Sequence, residues 1–129
     1  MGSRTNFTFR TNTGDLTLYS HWGGESKRED LAFAIQKAMP RIKMGDPSYA
    51  LRIMISQLIG ESWDDETGFG LFVGSEGGEE SYDPVIINLI NNTVAFDSDL
   101  HPKGFQAYVD YHVSIAEDSE ESAPAIWAS

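Results

Sequence analysis

From Leu16 to Glu25 a strand pattern runs into two adjacent glycines and then a helix start. Leu16 and Leu18 alternate with Thr17 and Tyr19, which predicts a half-buried strand. The strand meets His21, Trp22, Gly23 and Gly24, and Ser26 opens a helix. A strand that breaks at paired glycines before a helix N-terminus lets the backbone come close to a ligand and leaves helix N–H groups pointing outward.

Upstream, Phe7 and Phe9 alternate with Asn6, Thr8 and Arg10, and Thr11 to Asp15 has turn chemistry, with Asn12 and Gly14 suited to positive φ. The two strands therefore read as a hairpin that buries Phe7, Phe9, Leu16 and Leu18 on one face. Arg10 and Tyr19 fall on its other face.

Downstream, Ser26 and Glu29 match a capping box, and a first helix is expected from Lys27 to about Ile42, with Leu31, Ile35, Ala38, Met39 and Ile42 as its buried stripe. Pro40 predicts a kinked or lost last turn. Asp46-Pro47 is a second start signal. The helix it opens should run from Pro47 to Ile59 and stop at Gly60. It is apolar on more than one side, which suggests deep burial or a contact with a second copy.

Beyond Gly60 the patterns are short. Phe69 to Val73, Val85 to Ile90 and Thr93 to Phe96 read as strands, with Asn91-Asn92 as a tight turn. Gly74 to Asp83 reads as a flexible loop. Phe105 to Ile115 alternates strictly and predicts one more, long strand. The expectation is an α+β domain over residues 1–116, in the order ββααββββ. Its sheet is antiparallel, of about five to six strands, with two helices packed on one face. The short links among the last four strands argue against parallel crossovers. Residues 117–129 read as an acidic mobile tail.

Charge narrows the partners. Eight of the nine basic side chains and five of the twenty acidic ones lie in residues 1–52, so the second half is strongly acidic. That half should repel nucleic acid and anionic membrane, whereas the first half can hold a small phosphate ligand. No apolar run is long enough to span a bilayer, no signal-peptide layout is present, and there are no cysteines. A cytoplasmic setting, without disulfides, metal or cofactor, is expected.

Four groups of residues carry possible chemistry. At Tyr19, His21, Trp22, Gly23 and Gly24, the indole can stack on a base or ring, the imidazole can hydrogen-bond, and Arg10 or Arg52 can meet a phosphate. Asp97, Asp99 and His101 can hold a cation, although the pattern fits a turn held by aspartate side chains better. Trp63 to Glu66 is a similar acidic loop. The fifteen acids of the second half can also imitate a nucleic-acid backbone. His21, His101 and His112 are possible general bases, but no spacing pairs one with a nucleophile. The chain therefore reads as non-catalytic.

Leu18-Tyr-Ser-His-Trp-Gly-Gly24 resembles the "Y-x-H-W-G/D-G" signature that closes the opening hairpin of small accessory proteins encoded by tailed phages. The resemblance covers about the first 60 residues. It implies a host-takeover or anti-defence lineage, and it transfers no functional residues. The leading expectation is a non-catalytic phage-type protein that sequesters a small nucleotide-derived ligand. Self-association through the second helix would complete the pocket. The alternatives are an acidic nucleic-acid mimic that binds a host defence protein, and a virion or structural protein.

Overall fold

The computed structural model describes residues 3–79 and 82–121. The chain is α+β, with one six-stranded mixed sheet and three helices. β1 (Thr5–Thr11) and β2 (Gly14–Ser20) form the expected hairpin, with Phe7 opposite Leu18 and Phe9 opposite Leu16. α1 (Lys27–Lys43) and α2 (Pro47–Ile59) follow, then a 3-10 turn over Gly60–Asp64. β3 is Phe69–Val73, β4 Val85–Asn88, β5 Thr93–Phe96 and β6 Lys103–Gly104, and α3 is Phe105–Glu121. Across the sheet the order is β3-β2-β1-β4-β5-β6.

The sheet is not purely antiparallel, because β4 runs parallel to β1, with Phe7 opposite Val85 and Phe9 opposite Ile87. Short links do forbid parallel pairing between neighbours in sequence. β1 and β4 are instead joined through β2, α1, α2 and β3, which is ample for a crossover. The sheet grows outward from β1 on both sides.

The second correction is α3. Phe105 to Ile115 was expected as a strand and forms a helix. Its alternation hides a helical stripe: Phe105, Tyr108, Val109, His112 and Val113 are buried, at spacings of three and four. Tyr108, assigned by alternation to a wet strand face, is fully buried and stacks on Phe96 at 6.2 Å between ring centroids. Three helices, rather than two, therefore pack on the sheet, and α3 continues through residues 117–121. The remainder of the expected tail, 122–129, lies outside the described residues.

α1 runs on past Pro40 to Lys43. Proline cannot donate to the Gln36 carbonyl, but Gln36 and Pro40 are both exposed, so water can satisfy it. Neither expected N-cap bonds its helix: Ser26 Oγ donates to Asp30 at 2.7 Å, and Asp46 accepts from Arg41 at 3.3 Å. In α2, Ala50, Met54, Ile55 and Ile59 are buried, while Leu51, Ile53 and Leu58 pack partly buried against the same core. The apolar surface of that helix is thus largely consumed inside the fold. Among the described residues no helix is long and apolar enough to cross a membrane.

The loop after β3 lies on the sheet face opposite the helices. Asn6 Nδ2 donates to Gly78 O at 2.8 Å, Gly78 N–H returns a bond to Asn6 Oδ1 at 3.0 Å, and Thr17 Oγ1 donates to Gly74 O at 2.8 Å. A Cβ on Gly77 would stand 2.2 Å from Asn6 Oδ1, so glycine alone permits this approach.

Candidate functional site

At the end of β2 the chain turns outward from the sheet and is tied down by backbone bonds. His21 N–H donates to Gly68 O at 2.8 Å, Gly23 N–H to Ser20 Oγ at 2.9 Å and Gly24 N–H to Ser3 O at 2.8 Å. Both glycines face protein. A Cβ on Gly24 would lie 2.3 Å from the Tyr82 ring, and one on Gly23 would lie 2.6 Å from Ser20 Oγ. They make a tight corner, so the close backbone approach expected at these glycines is made by Ser20 and Tyr82.

The corner thrusts Trp22 into solvent, with 66% of its surface exposed. Its indole is braced by its neighbour. The His21 ring meets it edge-on at 4.4 Å between centroids and an interplanar angle of 85°. His21 is held in turn by Tyr19, whose hydroxyl lies 2.9 Å from His21 Nδ1. Either the phenol donates to Nδ1 or the ring N–H at Nδ1 donates to the phenol oxygen, and in both cases Nε2 is left for another partner. Tyr19 is fixed by the glycine-rich loop, since a Cβ on Gly78 would come within 2.5 Å of its ring. Trp22, His21, Tyr19 and Gly78 thus form a chain of support running from solvent to the sheet.

Neither expected arginine joins this cluster. Arg10 sits at the turn end of the hairpin, bound to Asp15 through two contacts of 3.2 and 3.3 Å. From the register, it is four residues, or about 13 Å, along the strand from Tyr19. Arg52 is on α2, in the helix layer, with Nη1 3.3 Å from Ser56 Oγ.

The cation at the right end is Arg4. It precedes the Thr5–Ser20 pair by one residue, as His21 follows it by one. Its Nε is buried without a partner, and its Nη1 lies 3.7 Å from Glu79, a largely exposed carboxylate. Position 4 falls outside the apolar alternation, which is why pattern reading passed over it. Counting back through the hairpin register would have found it. No protein-family model, curated protein or solved structure matches this chain. The site is therefore read from its own chemistry.

The other candidates are structural. Asp99 accepts the Phe96 N–H at 3.1 Å and stands 4.0 Å from Arg28, so it holds a turn, and His101 is exposed. Among the described residues no group of three or more His, Asp or Glu side chains could hold a metal ion. Arg28 is the hub of that region. Its guanidinium lies over the Phe96 ring at 3.8 Å and reaches Asp83 and Ser98 at 3.3 Å each. The Ser98 hydroxyl, with Arg28 and Lys27, holds the Asp83 carboxyl below the usual carboxylate range, against the opposing effect of burial. On α3, burial pushes the His112 imidazole down, and its Nε2 has no partner.

A cavity of about 290 Å³ and another of about 260 Å³ adjoin at the opposite end of the hairpin, sharing Asn12, Pro47 and Leu89. Their linings carry no charged side chain. A phosphate would find no counter-charge there.

Proposed function

We propose that this chain is a non-catalytic binding protein of phage accessory type that sequesters a small nucleotide-derived anion at Trp22, His21 and Arg4. One observation carries the reading: a tryptophan with 66% of its surface in solvent is braced from beneath by the His21–Tyr19 pair. A loose surface tryptophan has no need of such support. The indole face offers a stacking surface for a base, worth about 1–3 kcal/mol per base in known cases. Arg4 offers the charge, exchanging the exposed Glu79 carboxylate for a phosphate that matches its fork geometry. His21 Nε2 supplies a further polar contact. The phage setting, and sequestration rather than turnover, both come from the lineage that the Leu18–Gly24 resemblance implies.

The test is a thermal-shift titration with nucleoside mono-, di- and triphosphates and cyclic dinucleotides. A ligand at 100 times its Kd should stabilise the protein by about 2.7 kcal/mol. Trp22→Ala should abolish the shift and leave the unliganded melting temperature unchanged. A full panel without any shift refutes the reading.

A second reading, an acidic mimic that binds a host defence protein, is favoured by one feature. Glu61, Asp64, Asp65 and Glu66 are all exposed within a single short stretch beside Trp63. Such binding would weaken steeply with salt.

A further inference from the structure

The two edges of the sheet are unlike. β6 is two residues long and begins with Lys103, the short, charged pattern that discourages strand addition. β3, at the other edge, is Phe-Gly-Leu-Phe-Val, without charge or proline. Its side chains stand in water: Leu71 is 52% exposed, Phe72 38% and Val73 95%. No other described strand pairs with its outer side. An uncharged, apolar open edge is a template for another strand.

The backbone phase shows which groups of β3 are open. Gly74 N–H donates to Asp15 O at 2.7 Å, and His21 N–H to Gly68 O at 2.8 Å. Alternate residues of an antiparallel pair face the partner, so Gly70 and Phe72 also point at β2. Phe69, Leu71 and Val73 therefore turn their N–H and C=O groups to the open edge. That set of three is symmetric about Leu71.

We propose that β3 pairs antiparallel with β3 of a second copy of this chain, about a two-fold axis at Leu71, joining two six-stranded sheets into one. In that register Leu71 meets Leu71 of the partner subunit, and Phe69 meets Val73 of the partner subunit. All three outward residues on each side find both backbone partners. On the outer face, Phe72 of the partner subunit stands opposite Gly70, where the chain's own Phe72 ring already comes within 3.7 Å of the place a Cβ would take, so the two rings meet across the seam. On the helix side, a cavity of about 170 Å³ lies beside the strand, lined in part by Ile59, Trp63, Phe69 and Leu71. The pairing sets Val73 of the partner subunit, beside Phe69, at that cavity. This accounts for a valine almost wholly in water and a half-exposed Trp63 nearby. Because β6 is guarded, the assembly closes as a dimer instead of extending into a fibre.

Charge sets its strength. The same two-fold brings Glu66 towards Glu76 of the partner subunit, and each chain carries a net charge of −11. A single edge strand also contributes little beside the roughly 800 Å² per partner of stable interfaces. The dimer is therefore weak, and added salt strengthens it by screening the carboxylates.

Sedimentation velocity across a concentration series, at low and high salt, tests the proposal. The expected result is a monomer–dimer equilibrium that shifts towards dimer with salt. Val73→Pro should return the chain to monomer without changing its fold, because that N–H faces away from β2. Leu71→Cys tests the register in a protein that has no native cysteine. Paired residues of this kind stand about 5.5 Å apart at Cα, within disulfide reach, so mild oxidation should cross-link Leu71→Cys. Val73→Cys, facing Phe69, should cross-link far more slowly. A monomer at every concentration and salt overturns the proposal. So does an assembly that survives Val73→Pro, one that grows beyond two chains, or one in which Val73→Cys links as fast as Leu71→Cys.

Discussion

The hydroxyl of Tyr19 lies 2.9 Å from Nδ1 of His21, two residues further along the chain. This bond sets the imidazole edge-on beneath the exposed Trp22 indole. Tyr19→Phe removes the hydroxyl and keeps the ring against the glycine-rich loop. Fold stability should fall by only about 1 kcal/mol, as for one ordinary hydrogen bond. Nucleotide affinity, read by isothermal titration, should fall by more, because the freed histidine no longer braces the indole.

Arg4 is the proposed charge partner of the ligand. Arg4→Gln should cost binding about 1.5–3 kcal/mol, the range for a hydrogen bond to a charged group. Glu79→Gln should do the opposite and tighten binding, since it removes the carboxylate that competes for the same guanidinium. Arg10→Gln, four register steps away beside Asp15, should leave affinity unchanged. The three variants titrated side by side separate a local charge effect from a general one.

Gly77 tests whether the loop is locked to the sheet. A Cβ there meets Asn6 Oδ1 at 2.2 Å and Thr17 Cγ2 at 2.7 Å. Asn6 cannot swing clear without breaking its two bonds with Gly78. Gly77→Ala should destabilise the domain by about 1–3 kcal/mol, as overpacking does. Ser75→Ala, on an exposed residue of the same loop, should change nothing. Urea unfolding of both variants measures the difference.

His112 makes stability depend on pH. Burial lowers its pKa, reinforced by Arg28 and Lys103 and opposed by Glu29 and Asp99. The unfolded chain then takes up a proton before the folded one does. The contribution is complete above the unfolded value of about 6.5 and is lost as pH falls from there towards the folded pKa. The melting temperature should decline as pH drops through the weakly acidic range. His112→Phe, similar in shape but unable to take a proton, should flatten that decline.

Much of the fold is legible in local sequence signals. The β1–β2 hairpin, α1 and α2, and the strands at Phe69, Val85 and Thr93 all follow local signals. Each is a run of alternating or helical burial, bounded by Gly, Pro or Asn. Local signals also placed Trp22 and His21 together at the end of β2. They failed at Phe105–Val113, where apolar residues fit a period of two and a stripe at three and four equally well. That segment had to be decided by what it packs on, and Phe96 and α1 supply a surface for a helix.

The amino-acid order alone therefore settled an acidic α+β chain, most of its elements and the corner that carries Trp22. Tertiary structure decided the parallel β1–β4 pairing, the third helix and the positions of Arg10 at the far end of the hairpin and Arg52 in the helix layer. The reason is distance along the chain. Capping, alternation and turn chemistry act over a few residues. Which strand lies beside β1, and which cation stands level with His21 across the hairpin, depend on contacts between segments that sequence spacing does not relate.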